Sequence, residues 1–336
     1  MGIARRKGLW AVAALVVGAG LFVLNSLADF DISRHNTIDH TFAVSGQTIS
    51  GTLILPLDRP NPPVALIVHG DGPQDRFSGD GYLPLINTLV DAGIGVFTWD
   101  KPGVGQSTGS WLDQSMADRA NEVLAAYHAL RAEYGVAADR LGFLGFSQAG
   151  WVVPRVASEV TPAFTVLVGV AVDWQLQGDY YTRVRLRDEG MAEQDITAAV
   201  AAMAIDDDAK FAPGARAPDG LDPARFGFIQ RNRLANATDD IATMQGPVLA
   251  IWGAQDLNVD PHANQAVYKT LFARPDLQEP MIWPDATHSL LRAGLFNTQL
   301  VEDWSPMTQA LFVILGRRAY APGALEQIST WINGHL

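Results

Sequence analysis

The sequence predicts an α/β fold: a doubly wound, mostly parallel sheet with a helical cap inserted late in the chain. Three observations lead there. Apolar runs of strand length recur, as "VALIVHG" (64–70), "IGVFTWD" (94–100), "RLGFLGF" (140–146), "AFTVLVGVAV" (163–172), "GPVLAIWG" (246–253) and "EPMIWP" (279–284), and unbroken apolar runs suit strands buried on both faces of a parallel sheet. Stretches of helical period lie between them, and strand–helix alternation closes into such a sheet. From Trp174 to Met244 the alternation fails over a span too long for an ordinary connection.

Taken in order, the chain opens with Arg5, Arg6 and Lys7, an uncharged run from Gly8 to Leu24, and Ser26-Leu27-Ala28. A basic start, an apolar middle and small residues before a cut describe a signal peptide removed after Ala28, with an uncleaved anchor as the rival reading of residues 1–28. Either way the positive end stays in the cytoplasm. The expected location is therefore extracytoplasmic: periplasmic, secreted, or anchored to the membrane, with membrane contact only through this segment.

From Thr37 to Leu55, Thr, Ile, Val and Phe recur around Ser45-Gly46-Gln47, which reads as a β-hairpin, and "RPNPP" (59–63) ends it. A helix is expected at 82–92, with Leu83, Ile86, Leu89 and Val90 on one stripe and Gly93 as its stop. Another is expected at 116–134, with Val123, Tyr127, Leu130 and Tyr134 at helical spacing. The core thus divides into 37–174 and 244–336. Residues 175–243 read as the cap, with a helical patch at 194–204 and a loop-like "APGARAPDGLDP" at 212–223.

Composition narrows the chemistry. With 48% hydrophobic and 18% charged residues, the 336-residue chain is globular. It has no cysteine, which excludes disulfides, thiolate nucleophiles and Cys-type zinc sites. A net charge of −12 argues against a nucleic-acid partner. "DKPGVGQSTG" (100–109) has its third glycine one place late for a dinucleotide loop, "DLNVD" (256–260) runs into Pro261 where a calcium loop needs glycine, and no HExxH occurs. No cofactor and no metal are expected.

Ligands of such sheets sit beyond the carboxyl ends of the strands. Three loops there carry Ser147, Asp256 and His288, in the order serine, acid, histidine. A serine hydroxyl is a weak nucleophile until an imidazole takes its proton, and the imidazole needs a carboxylate to fix its tautomer. Asp173 and Asp260 are the other carboxylate candidates; Asp256 is preferred as the first after the later strand. Ser147 lies in "GFSQAG", with Gly145 two before it and Ala149 where the tight strand-to-helix turn usually has glycine. "HGDGP" (69–73) could supply an oxyanion donor through the Asp71 N–H, with the Gln148 N–H as the second. The Asp71 carboxylate would then oppose the oxyanion unless neutralised, and Arg76 or Lys101 is the expected counter-charge. Pro154 should bend the helix after Ser147.

In the patterns HGxGPxxR (His69 to Arg76), DxxGxGxS (Asp100 to Ser107) and GxSxxG (Gly145 to Gly150), followed by Asp256 and His288, the chain from about Thr37 to Leu336 resembles the α/β-hydrolase superfamily. The likeness is to its secreted serine esterases related to the dienelactone hydrolase and prolyl-oligopeptidase branches. The resemblance implies Ser147 as nucleophile, His288 as base, Asp256 as orienting acid, and Asp100 as an organiser of the neighbouring loop. The family often has Ser in place of Asp71 and Arg in place of Lys101. The function expected is cleavage of small or medium carboxylic esters through an acyl-enzyme, with Trp111, Trp151 and Trp174 walling an acyl pocket. A peptidase or thioesterase would use the same groups, and a non-catalytic envelope-anchored binding protein could reuse the fold.

Overall fold

The computed structural model describes residues 17, 18 and 20–336. The basic start and much of the apolar run of the expected signal peptide or anchor therefore lie outside the described residues. Among those described, no helix is long and apolar enough to cross a membrane. Ala28–Phe30 form a 3₁₀ turn whose buried Asp29 carboxylate accepts from Arg317 Nε at 2.6 Å.

One eight-stranded sheet organises the molecule. Its strands are β1 (Asn36–Val44), β2 (Gln47–Leu55), β3 (Val64–Val68), β4 (Gly95–Trp99), β5 (Leu141–Phe146), β6 (Thr165–Val168), β7 (Val248–Gly253) and β8 (Gln278–Trp283), in the spatial order 1-2-4-3-5-6-7-8. β1, β2 and β4 pair antiparallel, and every other neighbour is parallel. Ser45 (φ 52°) and Gly46 (φ 77°) form the two-residue hairpin turn, so Gln47 already pairs with Val44 as the first residue of β2.

The inner parallel strands β3 and β7 are apolar throughout because both faces of each are buried. Leu66 and Val68 of β3 and Val248, Ala250 and Trp252 of β7 face the layer of α2 (Met116–Tyr134), α3 (Val153–Glu159) and α8 (Pro261–Leu271). Ala65, Ile67, Leu249 and Ile251 face α1 (Leu83–Asp91), α10 (Pro306–Leu315) and α11 (Ala324–Gly334). A short helix, α9 (Ala293–Phe296), precedes α10. α2 begins with a reciprocal cap between Ser115 and Asp118 and ends at Gly135 in the left-handed conformation.

One strand is shorter than its apolar run. The run 163–172 gives only Thr165–Val168, because Gly169 turns the chain at φ 61°. Beyond it the Val170 and Val172 carbonyls accept from the indoles of Trp252 (2.7 Å) and Trp151 (3.0 Å) instead of a strand. Between β6 and β7 the chain forms α4 (Trp174–Asp188), α5 (Glu193–Lys210), α6 (Pro223–Asn232) and α7 (Thr238–Thr243). Leu186, Ile196 and Val200 give α4 and α5 a small core of their own. α6 is docked by its last residue: the buried Asn232 side chain accepts from Met116 N at 2.9 Å and donates to Gln114 O at 3.0 Å.

Candidate active site

Ser147 follows β5 directly with φ 50°, a left-handed conformation that is strained for any residue with a Cβ. The chain then makes a 3₁₀ turn, Ser147–Trp151, and α3 starts anew at Val153. Pro154 sits in the first turn of α3, where its missing N–H would have had no helical acceptor, so the helix is interrupted before the proline rather than bent at it. The small residues around Ser147 answer to different contacts. A Cβ on Gly145 would lie 3.0 Å from both Ala149 Cβ and Val153 Cγ2, whereas one on Gly150 would lie 2.7 Å from Val170 Cβ. Glycine is thus demanded at 150 and favoured at 145, and the buried methyl of Ala149 fits the space that Gly145 leaves.

The loops after β7 and β8 meet. His288 Nδ1 lies 2.7 Å from Asp256 Oδ2, while Asp256 Oδ1 accepts from the backbone N–H groups of Asn258 (2.7 Å) and Val259 (2.9 Å). A buried carboxylate that only accepts places the hydrogen of His288 on Nδ1 and leaves Nε2 as a base. The His288 loop turns tightly through Asp285 (φ 50°) and Leu290 (φ 60°) and packs over Gly253. A Cβ on Gly169 would lie 2.8 Å from His288 Nδ1, so the ring rests on the chain just after Val168. Val168 is the register partner of Phe146, the residue before Ser147. The imidazole and Ser147 thus occupy adjacent strand ends, and the two are not hydrogen-bonded to each other. The other acids are engaged elsewhere: Asp173 caps α4 and Asp260 caps α8.

The loop after β3 touches this turn, since a Cβ on Gly70 would lie 3.3 Å from Ser147 Cβ. Four successive carbonyls of the loop are each held by a side chain. His69 O accepts from Arg119 Nη2 (2.6 Å), Gly70 O and Gly72 O from Lys101 Nζ (2.5 and 2.9 Å), and Asp71 O from Gln74 Nε2 (2.8 Å). C=O and N–H point oppositely across a trans peptide, so the grip on Gly70 O turns the Asp71 N–H away from Lys101. The Asp71 N–H has no backbone partner among the described residues, and the Gln148 N–H lies in the first turn of the 3₁₀ stretch, ahead of its i→i+3 bonds. Burial pushes the Lys101 ammonium well below the usual lysine range, with Arg119 acting the same way.

The expected partner of the Asp71 carboxylate is corrected here. Arg76 is taken by Asp100: its Nη2 lies 2.7 Å from Asp100 Oδ2, its Nε and backbone N–H donate to Asp100 Oδ1, and its remaining donors reach Ser50 and Thr52. Lys101 spends its contacts on carbonyls, although its charge is felt by Asp71. The ion pair is made by Arg225 of α6, with Nη2 at 2.8 Å from Asp71 Oδ2 and Nη1 at 3.2 Å from Oδ1. Burial would raise the Asp71 carboxyl, but the Arg225 guanidinium, the Lys101 charge and the Gly72 N–H together outweigh it and hold it below the ordinary value.

Solved structures of similar shape include the esterase Pf2001 of Pyrococcus furiosus (18% identity, 85% of this chain and 92% of that one, TM-score 0.53). Est1E of Butyrivibrio proteoclasticus, solved with ferulic acid, is 15% identical over 88% of this chain and 96% of its own, with TM-score 0.53. The proline iminopeptidase of Mycobacterium smegmatis is 16% identical over 89% and 98%, also with TM-score 0.53. The chain has the α/β-hydrolase fold. No family model and no curated protein matches the sequence.

Within this α/β-hydrolase fold, several residues around Ser147 and Asp256 have no sequence signal. Buried Arg119 donates to Gln148 Oε1 at 2.5 Å as well as to His69 O, and Gln148 Nε2 donates to Asp71 Oδ1 at 2.9 Å. Tyr180 of α4 donates to Asp256 O at 2.7 Å; burial, and then the Asp256 charge, push its phenol up to about 12. Arg119 sits at the start of α2 among ordinary charged residues, and Arg225 and Tyr180 lie in the segment with no strand alternation. Asp100 could be read, because its acceptors close the loop back on the Gln106 N–H (3.0 Å) within one short motif.

Proposed function

We propose that this α/β-hydrolase cleaves carboxylic esters through an acyl-enzyme formed on Ser147. The observation that carries the reading is the Asp256–His288 pair resting at the strand end beside a serine held at φ 50°. Ser147 Oγ attacks the ester carbonyl carbon as its proton passes to His288 Nε2, and Asp256 stabilises the imidazolium. The free N–H groups of Asp71 and Gln148 are the donors for the tetrahedral oxyanion. The C–O bond to the alcohol breaks as His288 returns the proton to the leaving oxygen. Water, deprotonated by His288, then releases the acid and Ser147 regains its hydrogen.

Residues 175–243 act in this reading as a cap. Its α4 and α6 support an apolar acyl site, through a row of aromatic rings running from Trp151 to Trp174 (5.0 Å), Phe228 (6.2 Å) and Trp111 (5.2 Å). The basic and apolar N-terminus supports an extracytoplasmic site of action, which fractionation of cells expressing the full chain tests.

The function is tested with p-nitrophenyl esters, peptides and acyl thioesters against the wild type and Ser147→Ala. Ester turnover should fall by about 10⁶ in the variant, and ester hydrolysis that survives the substitution rules out the nucleophile. Faster turnover of peptides or thioesters than of esters would reassign the substrate class and keep the residues.

A further inference from the structure

We propose that Arg225, brought from the inserted helices, is a positioning residue of the oxyanion loop: paired with Asp71, it cancels a carboxylate that otherwise opposes the charge formed beside Ser147. The proposal rests on the ester-hydrolase reading of Ser147. It starts from a conflict in the loop itself. The residue whose N–H is free to meet an oxyanion also carries a negative side chain, and that carboxylate is tied to the second donor residue through Gln148 Nε2.

The neighbours of Asp71 divide by what they can do. Lys101 and Arg119 are buried and add positive charge, but their contacts go to the His69, Gly70 and Gly72 carbonyls and to Gln148 Oε1. Glu122, nearby and facing both cations, is bonded to Trp99 Nε1 and Gln114 Nε2 at 2.6 Å each. Arg225 alone among the described residues makes an ion pair with the Asp71 carboxylate, and it contacts both oxygens, the planar match of guanidinium and carboxylate.

Arg225 is itself held in place. Its guanidinium carbon lies 5.6 Å from the Trp111 ring and 5.2 Å from the Phe228 ring, and α6 is fixed seven residues later by Asn232. A continuous path therefore runs from His69 O through Arg119, Gln148 and Asp71 to Arg225. With Asp71 and Arg225 side chains 43% and 33% exposed, water reaches the pair. The loop is electrostatically ready for an oxyanion only while α6 is docked on it.

A double-mutant cycle on p-nitrophenyl ester hydrolysis tests this, using the full chain with Ser147→Ala as reference. Arg225→Gln should lower kcat about 10- to 100-fold with KM changed by less than about threefold, as a half-screened carboxylate ~5 Å from the oxyanion requires. Arg225→Lys should keep most of the turnover. Adding Asp71→Asn to Arg225→Gln should restore kcat to within about threefold of Asp71→Asn alone. A double variant as slow as Arg225→Gln would show that the arginine merely docks the helix and would overturn the proposal, as would a wild-type kcat in Arg225→Gln. Hydrolysis that survives Ser147→Ala overturns the nucleophile assignment and this proposal together; hydrolysis that needs Ser147 but shows no coupling overturns this proposal alone.

Discussion

Replacing Asp256 with Asn changes one atom and inverts a proton's position. Asp256 Oδ1 accepts two backbone N–H groups, from Asn258 and Val259, and Oδ2 faces His288 Nδ1 at 2.7 Å. An asparagine has one oxygen to divide between these sites. Turning its NH₂ toward the backbone would set a donor against two buried donors, at about 1–3 kcal/mol for each N–H left without an acceptor. The oxygen should therefore stay on the backbone and the NH₂ should face His288. The imidazole must then accept at Nδ1 and carry its hydrogen at Nε2, where it cannot take a proton from Ser147.

The magnitude has two parts. The wrong tautomer removes the base, and recovering the right one costs the two lost acceptors, about 2–6 kcal/mol. The carboxylate's attraction for the imidazolium, about 4 kcal/mol at ~4 Å and an effective dielectric of ~20, is also lost. Because the proposed reaction can take the cheaper route at each step, the sum is an upper bound, and a fall in kcat of about 10⁴ is expected. The assay is steady-state p-nitrophenyl ester hydrolysis on a variant whose melting temperature is close to wild type. A kcat within tenfold of wild type refutes the assignment of Asp256, and the same loss in Asp173→Asn or Asp260→Asn would move the role to a helix cap.

Four further substitutions separate packing from charge. Ala149→Gly should cost about 1 kcal/mol of stability and leave kcat within a few-fold, whereas Gly150→Ala, whose methyl would meet Val170 Cβ at 2.7 Å, should melt many degrees lower; thermal melts and ester kinetics read both. Burial, helped by the Lys101 charge, pushes the His69 imidazole from its ordinary value of 6.5 down to about 3. Between those values the unfolded chain binds the extra proton, so stability rises with pH across that window and is lost on acidification. In His69→Phe, which keeps the stack on Tyr82 (5.7 Å), the melting temperature should fall less steeply from pH 6.5 to 4, and an unchanged slope refutes the buried-histidine account. Asp100→Asn should loosen the loop from Asp71 to Arg76, lowering kcat about 10-fold or more and stability by about 1–3 kcal/mol, as urea unfolding and turnover would show; unchanged turnover would mean that the loop holds without it.

The middle of the sheet was legible because its strands have two buried faces: "VLAIWG" has no polar position, and Val248 to Gly253 are all buried. The shortening of 163–172 to Thr165–Val168 was not, because the residues after Gly169 are as apolar as strand residues while their carbonyls go to two indoles. Hydropathy records that a residue is buried and is silent on which donor its backbone meets. The same limit separates the residues that strand order places together from the rest of the candidate site. Ser147, Asp256 and His288 each follow a strand, so the order of the strands brings them to one edge before any side chain is considered. The charge on Asp71 has no such guide. Arg76 and Lys101 are near it in sequence or motif, yet Arg76 belongs to Asp100 and Lys101 to backbone oxygens, while the partner that pairs with it stands 154 positions away on α6. Sequence proximity is a poor predictor of ion pairing because a guanidinium goes where a carboxylate is least solvated and geometrically open. Asp100, nearly enclosed by its own loop, takes the nearer arginine, and Asp71, facing the inserted helices, is left for theirs. On the proposed role of Arg225, Asp71 and Arg225 act as one unit, so residues 71 and 225 should be exchanged together when this site is redesigned.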